Sequence, residues 1–245
     1  MKTILAFETS CPYLSIALGD REGKARELRT HKKLMHSENL IPLVHQLLKK
    51  EKINLDEIDA FAIDQGPGSF TGLRIGFSFL KGLLAAKKKP CYGGLSLDII
   101  ASKTPTARGS RLGVLIDARR DAIYSRFYHC RKGEWAAEGK LELVSLRELK
   151  EKTQPPVILA GDALVRYRAG LEEFDHRIHF INPEDSFPQA AVLVKWFQAK
   201  DKRLSPLKHS GDRVPLYFRA TEAEENRERN KIPCQLKPLP SIPGR

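Results

Sequence analysis

The chain has 245 residues, with 42 Lys+Arg against 30 Asp+Glu for a formal charge of +12, and is 41% apolar and 29% charged. That composition excludes wholesale disorder, and the length allows one large domain or two lobes. No run approaches the roughly 18 apolar residues of a membrane span, and the opening Met1 to Phe7 reaches Glu8 too soon for a signal peptide, so a cytoplasmic protein without membrane contact is expected. Cys11, Cys91, Cys130 and Cys234 form no CxxC pair, which argues for reduced packing thiols over a zinc site or disulfide framework.

In chain order, Ile4 to Glu8 is an apolar strand, and Leu14, Ile16 and Leu18 alternate in a second, giving an antiparallel start. Gly19-Asp20 to Gly23 marks a turn, and Lys24 to Thr30 returns as a third strand. Ser37 is read as the N-cap of a helix whose continuous apolar stripe runs through Leu40, Ile41, Leu43, Val44, Leu47 and Leu48, with Pro42 in its first turns, where it costs least. Ile58 to Asp64 follows as a buried strand. The second half repeats the order: strands Leu112–Asp117, Ala122–His129 and Lys140–Val144, a helix at Leu146–Lys152, a strand Val157–Ala160 stopped by Gly161-Asp162, and a helix at Gln189–Lys200. Three strands, helix, strand, helix thus occurs twice. The expected organisation is an N-terminal lobe over residues 1–105, a C-terminal lobe over 106–220, with the linker in Ser102–Arg111, and a mobile charged and proline-rich tail over 221–245.

The most unusual segment is Asp64-Gln65-Gly66-Pro67-Gly68-Ser69-Phe70-Thr71-Gly72-Leu73-Arg74-Ile75-Gly76. Glycine and proline so dense between a strand and a helix suggest a phosphate-cradling loop, although neither GxxxxGK[ST] nor GxGxxG is met. Gly72 and Gly76 lie one helical turn apart, beside Leu73, Phe77 and Leu80. Close internal packing and an interface with another chain both explain such a face. Glu8 and Asp117 each end the first strand of a lobe, where a carboxylate is a common capping device. Arg119 and Arg120 are candidates for contact with a phosphate or a partner carboxylate. His176 and His179 have ligand-like spacing but sit in a polar, strand-like stretch, and no metal site is assigned. Ser69 and Thr71 have no base to activate them as nucleophiles.

The basic excess is spread: residues 1–110 hold 17 basic and 11 acidic side chains (+6), residues 111–219 hold 20 and 15 (+5), and residues 220–245 hold 5 and 4 (+1). Clusters at Lys32-Lys33, Lys49-Lys50, Lys87-Lys88-Lys89 and Arg119-Arg120 each fit a solvated helix end or turn.

GPGSFTGLRIG, Lys81-Gly82-Leu83, PCYGGLS at Pro90 to Ser96, His36-Ser37-Glu38, Ile116-Asp117-Ala118-Arg119-Arg120 and Pro215-Leu216-Tyr217-Phe218-Arg219 together resemble the TsaB (YeaZ) family, partner proteins in bacterial synthesis of threonylcarbamoyladenosine in tRNA. The resemblance implies a two-lobed α/β fold of the actin-like ATPase (ribonuclease H-like) superfamily with duplicated βββαβα units. It implies no catalytic residues and no cofactor of its own: ATP or ADP and a metal belong to the complex with the catalytic paralogue TsaD. In TsaD-like sequences a metal-binding histidine pair falls where this chain has Ser96 and Ile100, and neither residue replaces an imidazole. The expected role is a scaffold that pairs with TsaD, alongside the ATPase TsaE, contacting tRNA only through the complex and forming a homodimer when alone. The expected interface is Leu40, Leu43, Val44, Leu47, Gly72, Leu73, Gly76, Phe77 and Leu80. The competing expectation is an actin-like ATPase or small-molecule kinase: the superfamily likeness implies that strand-end carboxylates position magnesium and water, which makes Glu8 and Asp117, with Gly66, Gly68, Ser69 and Gly161, a candidate nucleotide site.

Overall fold

The computed structural model describes residues 2–30, 36–107 and 109–216. The expected tail, Cys234, Lys32-Lys33 and Tyr217 to Arg219 lie outside the described residues.

Strands β1 (Ile4–Glu8), β2 (Ser15–Gly19) and β3 (Ala25–Arg29) form the expected antiparallel start, with Ile4 opposite Gly19 and Ser15 opposite Arg29. Helix α1 (His36–Glu51) leads to β4 (Ala60–Asp64), and α2 (Phe70–Ala86) leads to β5 (Cys91–Gly94). β4 pairs parallel with β1, and β5 with β4. Ser37, read as an N-cap, is instead the second residue of α1. β1 and β4 sort their residues by size. Leu5, Phe7, Phe61 and Ile63 point to one side, where Leu40, Val44 and Leu47 of α1 and Phe77, Leu80 and Leu84 of α2 bury their stripes, while Ile4, Ala6, Ala60 and Ala62 point to the other.

Helix α3 (Ser96–Lys103) then enters the second sheet, formed by β6 (Arg111–Asp117), β7 (Ala122–Arg131), β8 (Glu134–Ser145), β9 (Val157–Ala160) and β10 (Ile178–Phe180), with α4 (Leu146–Lys152) and α5 (Leu164–Glu172) between its later strands. Ser145 caps α4 in a reciprocal box with Glu148. Counting strands within each lobe, both sheets run in the spatial order 3-2-1-4-5. The doubled βββαβα plan is therefore real, but its second copy closes with α5; the helix at Gln189–Lys200 is additional.

That last helix, α6 (Ala190–Ala199), crosses back to the first lobe. Leu193, Val194 and Trp196 pack on the small side chains Ala6, Ala17, Ala60 and Ala62, and β11 (Ser205–Pro206) extends the first sheet by pairing antiparallel with β5. The expected boundary, with 106–220 as a separate lobe, is thus corrected: residues 190–207 belong to the first lobe. Nor is Ser102–Arg111 a simple linker. α3 runs to Lys103 and is shared, with Ile99 in the first lobe's core and Leu97, Ile100 and Ala101 in the second's. Its buried Asp98 accepts two bonds from Arg126 of β7 at 3.0 Å and one from the Tyr128 hydroxyl at 2.7 Å, which fixes the lobes to each other.

The glycine face of α2 makes a very close contact inside the first lobe. A Cβ at Gly72 would lie 2.1 Å from the Thr9 carbonyl oxygen, and one at Gly76 would lie 2.4 Å from Thr9 Oγ1. Of the two readings of this face, internal packing is the one observed. Gly82, on the outer side, has nothing within 4 Å of such a Cβ. Gly72→Ala should therefore destabilise the protein by about 3 kcal/mol or more, because backbone must move, whereas Gly82→Ala should stabilise it by about 1 kcal/mol through helix propensity. Urea midpoints of the two variants check both signs.

Candidate functional site

Glu8 ends β1 and Asp64 ends its parallel neighbour β4, so the two carboxyls emerge side by side at the same edge of the sheet. Both are fully buried. Ser10, in the turn after β1, joins them: its N–H donates to Glu8 Oε1 at 2.7 Å, and its Oγ lies 2.5 Å from Glu8 Oε1 and 3.0 Å from Asp64 Oδ2. Asp64 Oδ1 accepts from the Gly66 N–H at 2.7 Å and from the Ser96 hydroxyl at 2.8 Å. Burial pushes Glu8 well above the usual carboxylate range, and the charge of Asp64 adds to the rise. Burial also lifts Asp64, to about 6, against the opposing hydrogen bonds from Gly66, Ser96, Ser10 and Glu8. Both carboxyls therefore hold a proton more readily than an exposed acid does.

Each residue of the expected nucleotide site is occupied by the chain itself. Glu8 turns to Ser10. The Gly66 N–H goes to Asp64, a Cβ at Gly68 would lie 2.3 Å from the Ser10 carbonyl oxygen, and the Ser69 hydroxyl caps α2 by accepting from the Gly72 N–H at 3.2 Å. Ser69's own N–H donates to the Ser10 carbonyl at 2.6 Å. In the second lobe the Asp117 carboxylate takes the Arg119 N–H at 2.8 Å, and Asp162 Oδ1 accepts from the Asp117 N–H at 2.9 Å. Gly161, at φ +119, sits with its Cα against the Leu115 carbonyl, where a Cβ would be 1.9 Å away. Between Gly68 and Asp162 the facing lobes leave a space of only about 10 Å³, walled by Cys11, Ile100, Ile116, Phe187 and Pro188. This is about the room of one water and does not fit a nucleotide. The positions legible as a phosphate loop thus make a sealed junction in this structure. Among the described residues no group of three or more His, Cys, Asp or Glu side chains could hold a metal ion, and His176 and His179 join no such group.

The expected interface set needs a similar correction. Leu40, Val44, Leu47, Leu73, Phe77 and Leu80 are buried within the first lobe, and Gly72 and Gly76 lie under Thr9, so these eight residues are core; Leu43 is partly buried against that core. The exposed apolar surface on the same two helices is the groove between their N-terminal halves, about 480 Å³, lined by Ser37, Leu40, Ile41, Phe70, Thr71, Arg74, Ile75, Ser78 and Phe79. Ile41 is 62% exposed and Phe70 40% exposed, the latter with the Arg74 guanidinium 5.2 Å from its ring centre. Ile41, read in the sequence as part of the apolar stripe of α1, is corrected to its exposed side, since the buried line is Leu40, Val44 and Leu47 and Ile41 lies about 100° around the helix from Leu40. No helix among the described residues is long and apolar enough to cross a membrane.

The raised carboxyls set a pH dependence. A buried acid whose folded value is higher than its unfolded one holds its proton more tightly when folded, so its contribution to stability falls as pH rises between the two values. For Asp64 that window runs from 3.8 to about 6. Unfolding midpoints of the parent protein should drop across it, and Asp64→Asn, which keeps an acceptor for Gly66, should flatten the drop and be the more stable form at pH 7. A parent curve with no slope in that window would contradict this electrostatic account.

The sequence and the fold both find relatives. Residues 31–187 match a family model described as TsaD, tRNA N6-adenosine threonylcarbamoyltransferase. The tRNA threonylcarbamoyladenosine biosynthesis protein TsaB of Bacillus subtilis is 30% identical over 231 residues, covering 91% of this chain and 96% of its own length. The TsaB of Buchnera aphidicola from Baizongia pistaciae is 31% identical over 161 residues, covering 62% and 70%. Among solved structures, YeaZ from Pseudomonas aeruginosa has a TM-score of 0.70 at 25% identity over 89% of this chain and 100% of that one. A second Pseudomonas aeruginosa structure, described as an uncharacterized protein with similarity to peptidase YEAZ, has a TM-score of 0.72 at 26% identity over the same shares. With a likeness that runs nearly end to end in sequence and in fold, the chain belongs to the TsaB (YeaZ) family.

Proposed function

We propose that this chain is a non-catalytic subunit required for threonylcarbamoylation of the adenosine beside the tRNA anticodon, and that it acts by pairing with a TsaD-like catalytic subunit. The observation that carries this reading is the use made of the two positions that align with the metal-binding histidines. Ser96 is fully buried, with its hydroxyl committed to Asp64, and Ile100 is 2% exposed in the core beneath the second sheet. Both serve to hold the lobes together. The sealed junction between Gly68 and Asp162 weighs in the same direction and against a nucleotide-hydrolysing enzyme built on Glu8 and Asp117. ATP turnover then belongs to a TsaE-like partner and the metal to the catalytic subunit.

The groove between α1 and α2 is the surface that suits the pairing: apolar, open, and carried on two helices fixed to the sheet. In the absence of the catalytic subunit the same surface would pair two copies of this chain. Two measurements test the reading. In a reconstituted reaction with the TsaD-like protein, the ATPase, the threonylcarbamoyl adenylate and tRNA, leaving out this chain should abolish modification; undiminished product would reject the role. Ile41→Glu, an exposed change that leaves the core intact, should weaken binding to the catalytic subunit at least about tenfold, read by titration calorimetry beside an unchanged thermal midpoint.

A further inference from the structure

The lysine clusters at Lys49-Lys50 and Lys87 to Lys89, each legible in sequence as a solvated helix end, meet at one end of the first lobe. α1 and α2 lie on the same face of the sheet and feed the parallel strands β4 and β5, so both helices end at the same edge. Asp56, in the short turn after α1, is ion-paired with Lys87 and accepts from Lys89 Nζ through its carbonyl at 3.5 Å, which holds that turn against the second cluster. Lys52, in the left-handed conformation at φ 55, adds a further cation just past α1.

The carboxylates of this end are engaged within the chain. Glu51 faces Arg26 at 3.7 Å, Asp56 takes Lys87, Glu57 accepts from the Asn54 N–H at 2.8 Å, and Asp59 from the Thr3 N–H at 2.8 Å. Lys49, Lys50, Lys52 and Lys88 are exposed and have no ion-pair partner among the described residues. In the second lobe Arg126, Arg147, Arg166, Arg168 and Arg177 are each paired with a carboxylate, while Arg131, Lys132 and Lys140 of the β7–β8 hairpin are exposed without an ion pair among the described residues. Helix dipoles favour lysines at these termini, yet four exposed cations without ion-pair partners, beside the two carboxylates Glu57 and Asp59 that meet only backbone N–H groups, are also a surface for a polyanion.

We propose that this lysine end of the first lobe contacts the phosphate backbone of tRNA when the chain is assembled with its catalytic subunit. The inference rests on the proposed place of the chain in a tRNA-modifying assembly. RNA is the occupant favoured because these are flexible point charges without the aromatic or apolar neighbours that a protein face would use, and phosphate contacts need no more than that. A catalytic subunit seated in the α1/α2 groove would lie along the same two helices whose far ends carry the lysines, so tRNA held by it need not cross the second lobe.

The test is a quadruple variant, Lys49→Gln, Lys50→Gln, Lys52→Gln and Lys88→Gln, which preserves side-chain length and helix propensity, compared with the control Lys132→Gln, Lys140→Gln in the second lobe. Each is assembled with the TsaD-like subunit, and tRNA affinity is measured from low to moderate salt. The quadruple variant should bind tRNA about tenfold more weakly at low salt, with the slope of log affinity against log salt reduced by about one for each phosphate no longer neutralised, while its affinity for the catalytic subunit and the control's slope stay at parent values. An unchanged slope, or an equal weakening in the control, overturns the proposal. So does weakened binding to the catalytic subunit with the tRNA slope intact, which would assign the lysines to a protein face. Modification that proceeds without the chain would reject the assembly itself, whereas a chain that is required but keeps the parent slope rejects only the lysine contact.

Discussion

At Gly72 and Gly76 the backbone of α2 comes so near to Thr9 that no side chain fits between them. This approach lets the turn after β1 fold over the start of α2, with Ser69 N–H bonded to the Ser10 carbonyl. The same turn brings the Ser10 side chain between Glu8 and Asp64 and seals both carboxyls from water. Sealing raises the cost of their charge, which lifts both above the usual carboxylate range, and the chain offsets part of that cost by surrounding Asp64 with donors. The glycines, the raised carboxyls and the closed junction are therefore consequences of one contact. None of them would survive a bulkier face on α2.

How much of this was legible in the sequence depended on the range of the forces involved. The strand and helix order followed from periodicity, because β1, β2, α4 and β9 are each set by local alternation, capping and glycine stops. Long-range choices were not legible. α6 has an ordinary amphipathic pattern, and nothing within it says that its apolar stripe matches the alanine face of β1, β2 and β4 more than the second sheet beside it in the chain. α3 was hidden for a related reason: it packs against both lobes and buries polar Ser96 and Asp98 together with Leu97, Ile99, Ile100 and Ala101, so its pattern lacks the one-sided stripe that marks a surface helix. The interface residues were misplaced because the strongest apolar stripe on a helix marks what its own lobe buries. What remains outside that stripe is weaker, here Ile41, Phe70 and Ile75 along the groove.

The glycine loop shows how an apparent anion cradle can be satisfied from within. A strand-to-helix turn of this composition directs N–H groups toward the space beyond the sheet, where a phosphate would be welcome. In this chain those groups meet the protein's own oxygens: Gly66 N–H faces Asp64, Ser10 N–H faces Glu8, and Ser69 N–H faces the Ser10 carbonyl. A bound phosphate would have to displace a hydrogen-bonded carboxylate and then lie beside its negative charge, an exchange that loses at both steps. The facing lobe offers no relief, since Asp162 borders the same narrow space and burial raises its pKa as well. The loop has kept the glycines that allow close backbone approach, and the approach is made to the neighbouring turn in place of a ligand. A motif that reads as binding in the sequence is, in this fold, the joint on which the first lobe closes.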